Sequence, residues 1–150
     1  MTVDFAWGKS PSLRVAAIAW TGPWNEQKIR AQFERLDRWA RKHKVRTGRW
    51  VFREPGDRRW EVALELKGRA RGSEGVRTRT LPAATVARVV FDPERVAPRL
   101  VYHGLSDWLR WRRKDKEIRS VVSSREIYSG NPWTDPRAWA RTEVQFLVRK

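Results

Sequence analysis

Cysteine is absent from this chain, which removes disulfides, thiolate metal sites and thiol nucleophiles at once. Histidine is nearly absent: His43 and His103 are the only two, and neither has a metal-ligating partner at a useful interval. Spacing alone therefore supports no zinc site and no Ser–His–acid arrangement. Long apolar runs are missing too, and none approaches the ~20 residues that a membrane-crossing helix needs. The opening residues, MTVDFAWGKSPS, lack the basic start and apolar stretch of a secretory signal, so a cytoplasmic protein without membrane insertion is expected. Gly8-Lys9-Ser10 ends like a phosphate loop but has no glycine at the required distance upstream. No other cofactor motif is present, and none is expected to be needed.

Acidic residues are scarce. Seventeen Asp and Glu face 33 Lys and Arg, 25 of them arginine, for a net charge of +16. Such a surplus favours contact with polyanions. Yet the basic runs, such as Arg110-x-Arg112-Arg113-Lys114, fall at the ends of helical segments, where cations complement the helix dipole. The expectation is a solvated surface with weak, non-specific nucleic-acid binding.

Tryptophan is abundant, with ten in 150 residues, and the hydrophobic share is 40%, so the chain can bury a real core. An internal repeat organises it. Phe33-x-x-Leu36-x-x-Trp39 recurs as Tyr102-x-x-Leu105-x-x-Trp108, and spacings of three mark one side of a helix. The segment 59–67 likewise matches 141–149, where Val62, Leu64 and Leu66 correspond to Val144, Phe146 and Val148 as the buried face of a strand. Opening strands are read at 13–20 and 83–91, and middle strands at 49–54 and 124–129. Each half then reads strand, helix, strand, strand. The predicted class is α+β: two β-α-β-β units related by a pseudo-twofold axis, forming an antiparallel sheet with two main helices around a central ligand cleft. Residues 1–12 are read as an N-terminal arm and 13–150 as one domain, with halves 13–67 and 81–149 joined by the polar linker 68–80.

The residues that could carry chemistry are an acid among aromatics. Glu126 and Tyr128 sit two apart on a strand and share a face, and the repeat sets Trp50 and Phe52 in the equivalent places of the first half. Aromatic rings around a carboxylate suit a flat, lipophilic cation, through contact area, cation–π attraction and charge. The residues alone equally allow Glu126 to be paired with one of the arginines. His103 and Asp107, four apart on the second helix, are expected to form a surface pair.

Trp20-Thr21-Gly22-Pro23-Trp24, Leu36-x-x-Trp39, Glu126-Ile127-Tyr128, Asn131-Pro132 and Thr142-Glu143-Val144 resemble, in order and spacing, the GyrI-like small-molecule-binding domains. These also serve as effector-binding domains of AraC-type and MerR-type regulators. The resemblance implies a duplicated fold around a central cleft, with the glutamate at the position of Glu126 meeting the ligand between aromatic walls. Some members are hydrolases that open the cyclopropane of DNA-alkylating natural products. The chain departs from the family at Phe91-Asp92-Pro93-Glu94, where a Gly-Pro-Tyr turn is common. No helix-turn-helix region precedes the domain, so a stand-alone member is expected. The leading reading is a binder of lipophilic cations, with Glu126 as charge partner and Trp20, Trp50, Phe52 and Tyr128 as walls. The rivals are a hydrolase using Glu126 and a basic protein associated with nucleic acid or gyrase.

Overall fold

The structure is a computed structural model and describes residues 3–150. Its elements run β1 (Ala6–Ser10), β2 (Leu13–Thr21), α1 (Glu26–Lys42), β3 (Thr47–Gly56), β4 (Arg59–Leu66), β5 (Arg77–Leu81), β6 (Ala84–Phe91), α2 (Pro98–Lys114), β7 (Ser120–Tyr128), α3 (Pro136–Trp139) and β8 (Thr142–Arg149). The eight strands form one sheet in the order β1-β6-β8-β7-β3-β4-β2-β5, and every neighbouring pair is antiparallel.

The period-3 stripes become the buried faces of two helices. On α1, Ile29, Phe33, Leu36 and Trp39 pack on Ala16, Ile18, Val62 and Leu64 of the sheet. On α2, Val101, Leu105 and Leu109 pack on Ala87, Val89, Val144 and Val148. Each such side chain contributes about 1.5–3 kcal/mol by leaving water. The starts of the helices differ in chemistry. Asn25 caps α1, its side-chain oxygen accepting the Lys28 backbone N–H at 3.0 Å. Ala97 gives α2 no side-chain cap, and Pro98 opens that helix instead, at a position where no N–H is required. Asn25→Ala is expected to lower stability by about 1 kcal/mol, read as a lower urea midpoint at unchanged slope.

Strand alternation sends the other side chains to the face without α1 and α2. Leu13, Val15, Ala17, Val51, Ala63, Leu81 and Ile127 form an apolar layer there. Long polar side chains cover it. Glu61 accepts from Arg53 at 2.7 Å and from Arg79 at 2.9 Å. Glu65 holds Arg49 at 3.2 Å. Buried Arg125 donates to Gln145 at 2.8 Å and to Ser10 at 2.9 Å. Burial, with Arg53 and Arg49 nearby, pulls the Arg125 guanidinium below its usual pKa.

Two expectations need correction. Within residues 1–12, Ala6–Ser10 is strand β1, paired with β6. Within the linker 68–80, Arg77 onward belongs to strand β5, paired with β2. Both are short edge strands, and neither carries the apolar alternation that marks an inner strand. Their order comes from joining an existing ladder. The pairing of His103 with Asp107 also gives way: Asp107 lies 3.3 Å from Arg110, and His103 is exposed. No helix among the described residues is long and apolar enough to cross a membrane.

Candidate functional site

Strands β3 and β7 meet at the middle of the sheet, and their register places Phe52 opposite Glu126 and Trp50 opposite Tyr128. Alternation turns Glu126 and Tyr128 toward the helices, while Arg125 and Ile127 point to the other face. Above this junction lies a cleft of about 430 Å³, within the ~300–1,000 Å³ range of drug-sized sites. Glu126, Tyr128 and Phe52 line its sheet side, and Ile29 and Phe33 line it from α1.

Glu126 is held by two tyrosines. The Tyr102 hydroxyl, reaching from α2, donates to Oε1 at 2.7 Å, and the Tyr128 hydroxyl donates to Oε2. No Lys or Arg lies within 4 Å of it among the described residues, so the ion-pair alternative does not describe this glutamate. Burial, reinforced by the adjacent carboxylate, holds both hydroxyls far above the ordinary phenol pKa. They therefore remain donors across the physiological range. Each carboxylate oxygen keeps a second lone-pair direction for a guest. The arrangement is a fixed acceptor at the floor of an apolar cleft.

The remaining walls come from loops and α3. Trp24 stands at the mouth, 63% exposed, edge-on to Phe52 at 6.2 Å and to Trp60 at 5.4 Å. Its loop is pinned where Trp60 Nε1 donates to the Gly22 carbonyl at 2.9 Å, and Gly22 has φ 139°, a region closed to most other residues. Trp133 meets Phe33 at 6.3 Å, and Trp139 of α3 stacks on Tyr128 at 6.5 Å. Arg30 lies over Trp133, 5.9 Å from its centroid. Pro98 and Pro132 complete the rim, with Glu26 as a second carboxylate near the surface.

The structure thus brings Glu126, Tyr128 and Phe52 together in the cleft. It does not bring Trp50 or Trp20 to the lining. Trp50 is 4% exposed and stacks on Phe33 at 5.3 Å beneath the wall. Trp20 is half-buried beside Trp60 on the neighbouring strand. Sequence reasoning missed Tyr102 and Phe33 as site residues, taking both as anchors of an apolar stripe. It also missed Trp24, Trp133 and Trp139. The Gly22-Pro23-Trp24 turn and the Trp-rich segment after Asn131 were the available signals. Among the described residues, no group of three His, Cys, Asp or Glu could hold a metal ion.

Comparison with known proteins agrees with this architecture. A family model described as the GyrI-like small molecule binding domain matches residues 9–149. The fold is similar to the EcmrR C-terminal domain, with a TM-score of 0.76 at 17% identity over 100% of this chain and 99% of that one. It is also similar to SAV2435 bound to tetraphenylphosphonium, with a TM-score of 0.56 at 13% identity over 97% and 94% of the two chains. A hydrolase from Listeria innocua gives a TM-score of 0.58 at 9% identity over 96% and 90%. No curated protein matches the chain by sequence.

Proposed function

Because the chain belongs to the family of GyrI-like small-molecule-binding domains, we propose that its cleft binds lipophilic cations, for sensing, sequestration or resistance. One observation carries the reading: a carboxylate at the floor of an aromatic cleft, oriented at both oxygens by tyrosine hydroxyls and left without a basic partner. Rings supply area and cation–π attraction, and Glu126 supplies the charge. The solved complex of SAV2435 with tetraphenylphosphonium supplies a probe. Glu126→Gln preserves shape and removes charge. It is expected to weaken tetraphenylphosphonium, which has no hydrogen to donate, by about 1–3 kcal/mol, the Coulomb attraction of unit charges roughly 6 Å or more apart at an effective dielectric of ~20 or above, and to leave a neutral aromatic of equal size nearly unaffected. Equal affinity of wild type and variant for the cation would end this reading.

The strand order also supports descent from two copies of one β-α-β-β unit. From β6 to β2 the inner strands read first, third, second, then second, third, first within the two halves. Under this reading Trp39 and Trp108 occupy equivalent helix positions, and the cleft lies across the joint between 13–67 and 81–149.

A second reading uses the same carboxylate as a general base. Oriented by Tyr102 and Tyr128, Glu126 would take a proton from water attacking a strained, electrophilic ring. The fold shared with a Listeria innocua hydrolase supports keeping it. Turnover abolished by Glu126→Gln, with binding of the neutral substrate retained, would favour this reading over binding alone.

A further inference from the structure

We propose that the face built from α1 and the β4–β5 loop binds the phosphodiester backbone of duplex DNA, independently of sequence and of the cleft. Eleven of the 33 Lys and Arg side chains lie within 4 Å of a carboxylate, which leaves 22 without a carboxylate partner among the described residues. Their placement is uneven. Two shallow hollows are each lined in part by the segment 67–76. In one, Arg35, Arg38, Arg41 and Lys42 of α1 face Glu74 and Val76. In the other, Arg14 of β2 meets Arg69 and Arg71.

The loop is fixed against α1. Trp39 Nε1 donates to Ser73 Oγ at 3.1 Å, Arg35 donates to the Glu74 carbonyl, and Lys42 pairs with Glu74 at 2.8 Å. The loop, with Arg35 and Lys42, is therefore held against α1 before any partner arrives. Arg14, Arg38, Arg69 and Arg71 are exposed and have no carboxylate partner among the described residues. The basic end of α2 is different, because its charges are mostly engaged. Arg110 pairs with Asp107, Arg112 lies 4.6 Å over Trp108 and 3.7 Å from Glu117, and Lys114 sits over Trp111 at 5.1 Å.

The kind of polyanion follows from what else the two hollows contain. The exposed large apolar side chains, among them Trp24, Leu100, Trp111 and Trp139, do not line either hollow. A bilayer surface would find no wedge to accept. Single strands are gripped by stacking bases on exposed rings, and the tryptophan here, Trp39, is buried. What the two hollows offer is clustered, exposed guanidinium, a group that matches phosphate geometry, with no base-reading element.

The test is fluorescence anisotropy with the full chain and a labelled mixed-sequence duplex between about 50 and 200 mM salt. Four phosphate contacts predict a log–log slope near −4 and roughly a hundredfold loss of affinity across that range. The combined variant Arg14→Gln, Arg38→Gln, Arg69→Gln, Arg71→Gln should bring the slope toward zero. Its thermal midpoint and tetraphenylphosphonium affinity should match wild type, which separates lost contacts from lost fold. A control, Arg110→Gln, Arg113→Gln, Lys114→Gln, should keep most of the slope. Losses in proportion to the four and three charges removed would show net charge alone at work and overturn the assignment. So would tighter binding to the corresponding single strand or to phosphatidylserine vesicles than to the duplex.

Discussion

Phe33→Ala is expected to destabilise the protein by about 3–5 kcal/mol, the range for truncating a buried aromatic ring. Phe33 is 1% exposed and faces Trp50 at 5.3 Å, Phe52 at 6.2 Å and Trp133 at 6.3 Å. Trp50 and Phe52 are fixed on β3 and Trp133 lies in the segment between β7 and α3, so the rings cannot all close over the gap and little of the cavity cost is recovered by relaxation. A loss of that size is a large share of the ~5–15 kcal/mol that holds a typical domain together. The same ring lines the cleft, which gives the substitution a second effect. A milder replacement, Phe33→Leu, should fold and enlarge the cleft, shifting preference toward bulkier cations. Urea unfolding measures the first effect and a size series of tetra-arylphosphonium ions the second. A cost below about 1 kcal/mol for Phe33→Ala would mean that the ring is not a supporting member of the core.

Removing the Glu61 carboxylate is the next largest expected change. Glu61 is 4% exposed and bridges Arg53 and Arg79. The β3–β7 register sets Arg53 directly opposite Arg125, whose own side-chain partners, Gln145 and Ser10, are neutral. Glu61→Ala thus leaves guanidinium groups facing one another over the apolar layer with one anion fewer. Breaking a buried pair costs about 3–5 kcal/mol. The expected figure here is about 3 kcal/mol, at the low end because Arg79 reaches solvent and screening discounts its share. Added salt should recover part of the loss in the variant. A loss under about 1 kcal/mol with no salt dependence would show that the polar cover contributes little beyond its aliphatic stems.

The helices and inner strands were legible because burial wrote a period onto the chain. Phe33, Leu36 and Trp39 advance by three, and Val62, Leu64 and Leu66 by two. β1 and β5 were not legible, since Ala6–Ser10 and Arg77–Leu81 have almost no core face of their own and take their conformation from β6 and β2. The site was half legible for a related reason. A period of two assigns a side chain to a face of the sheet and says nothing of depth. It set Trp50, Phe52, Glu126 and Tyr128 toward the helices, but Trp50 ended beneath Phe33 while Phe52 reached the surface of the cleft. Tyr102 was hidden by its neighbours. In a stripe with Leu105 and Trp108 it reads as another apolar anchor, and only the fold reveals that its hydroxyl extends past the core to Glu126. The tryptophans at the rim, Trp24, Trp133 and Trp139, stand in turns and a single-turn helix, where no repeat marks them.

The β3–β7 ladder holds four residue pairs, fewer than any other in the sheet, against seven for β2–β4 and seven for β6–β8. It is also the line along which 13–66 and 84–149 are stitched together, and the cleft lies directly above it. Under the proposed binding, a guest seated there would touch Phe52 on one side and Glu126 on the other, and so would work as a rivet across the ladder with the fewest pairs. At a concentration a hundred times its dissociation constant, such a guest would add about 2.7 kcal/mol to global stability, across that same ladder. Under that reading, occupancy and resistance to unfolding would rise together.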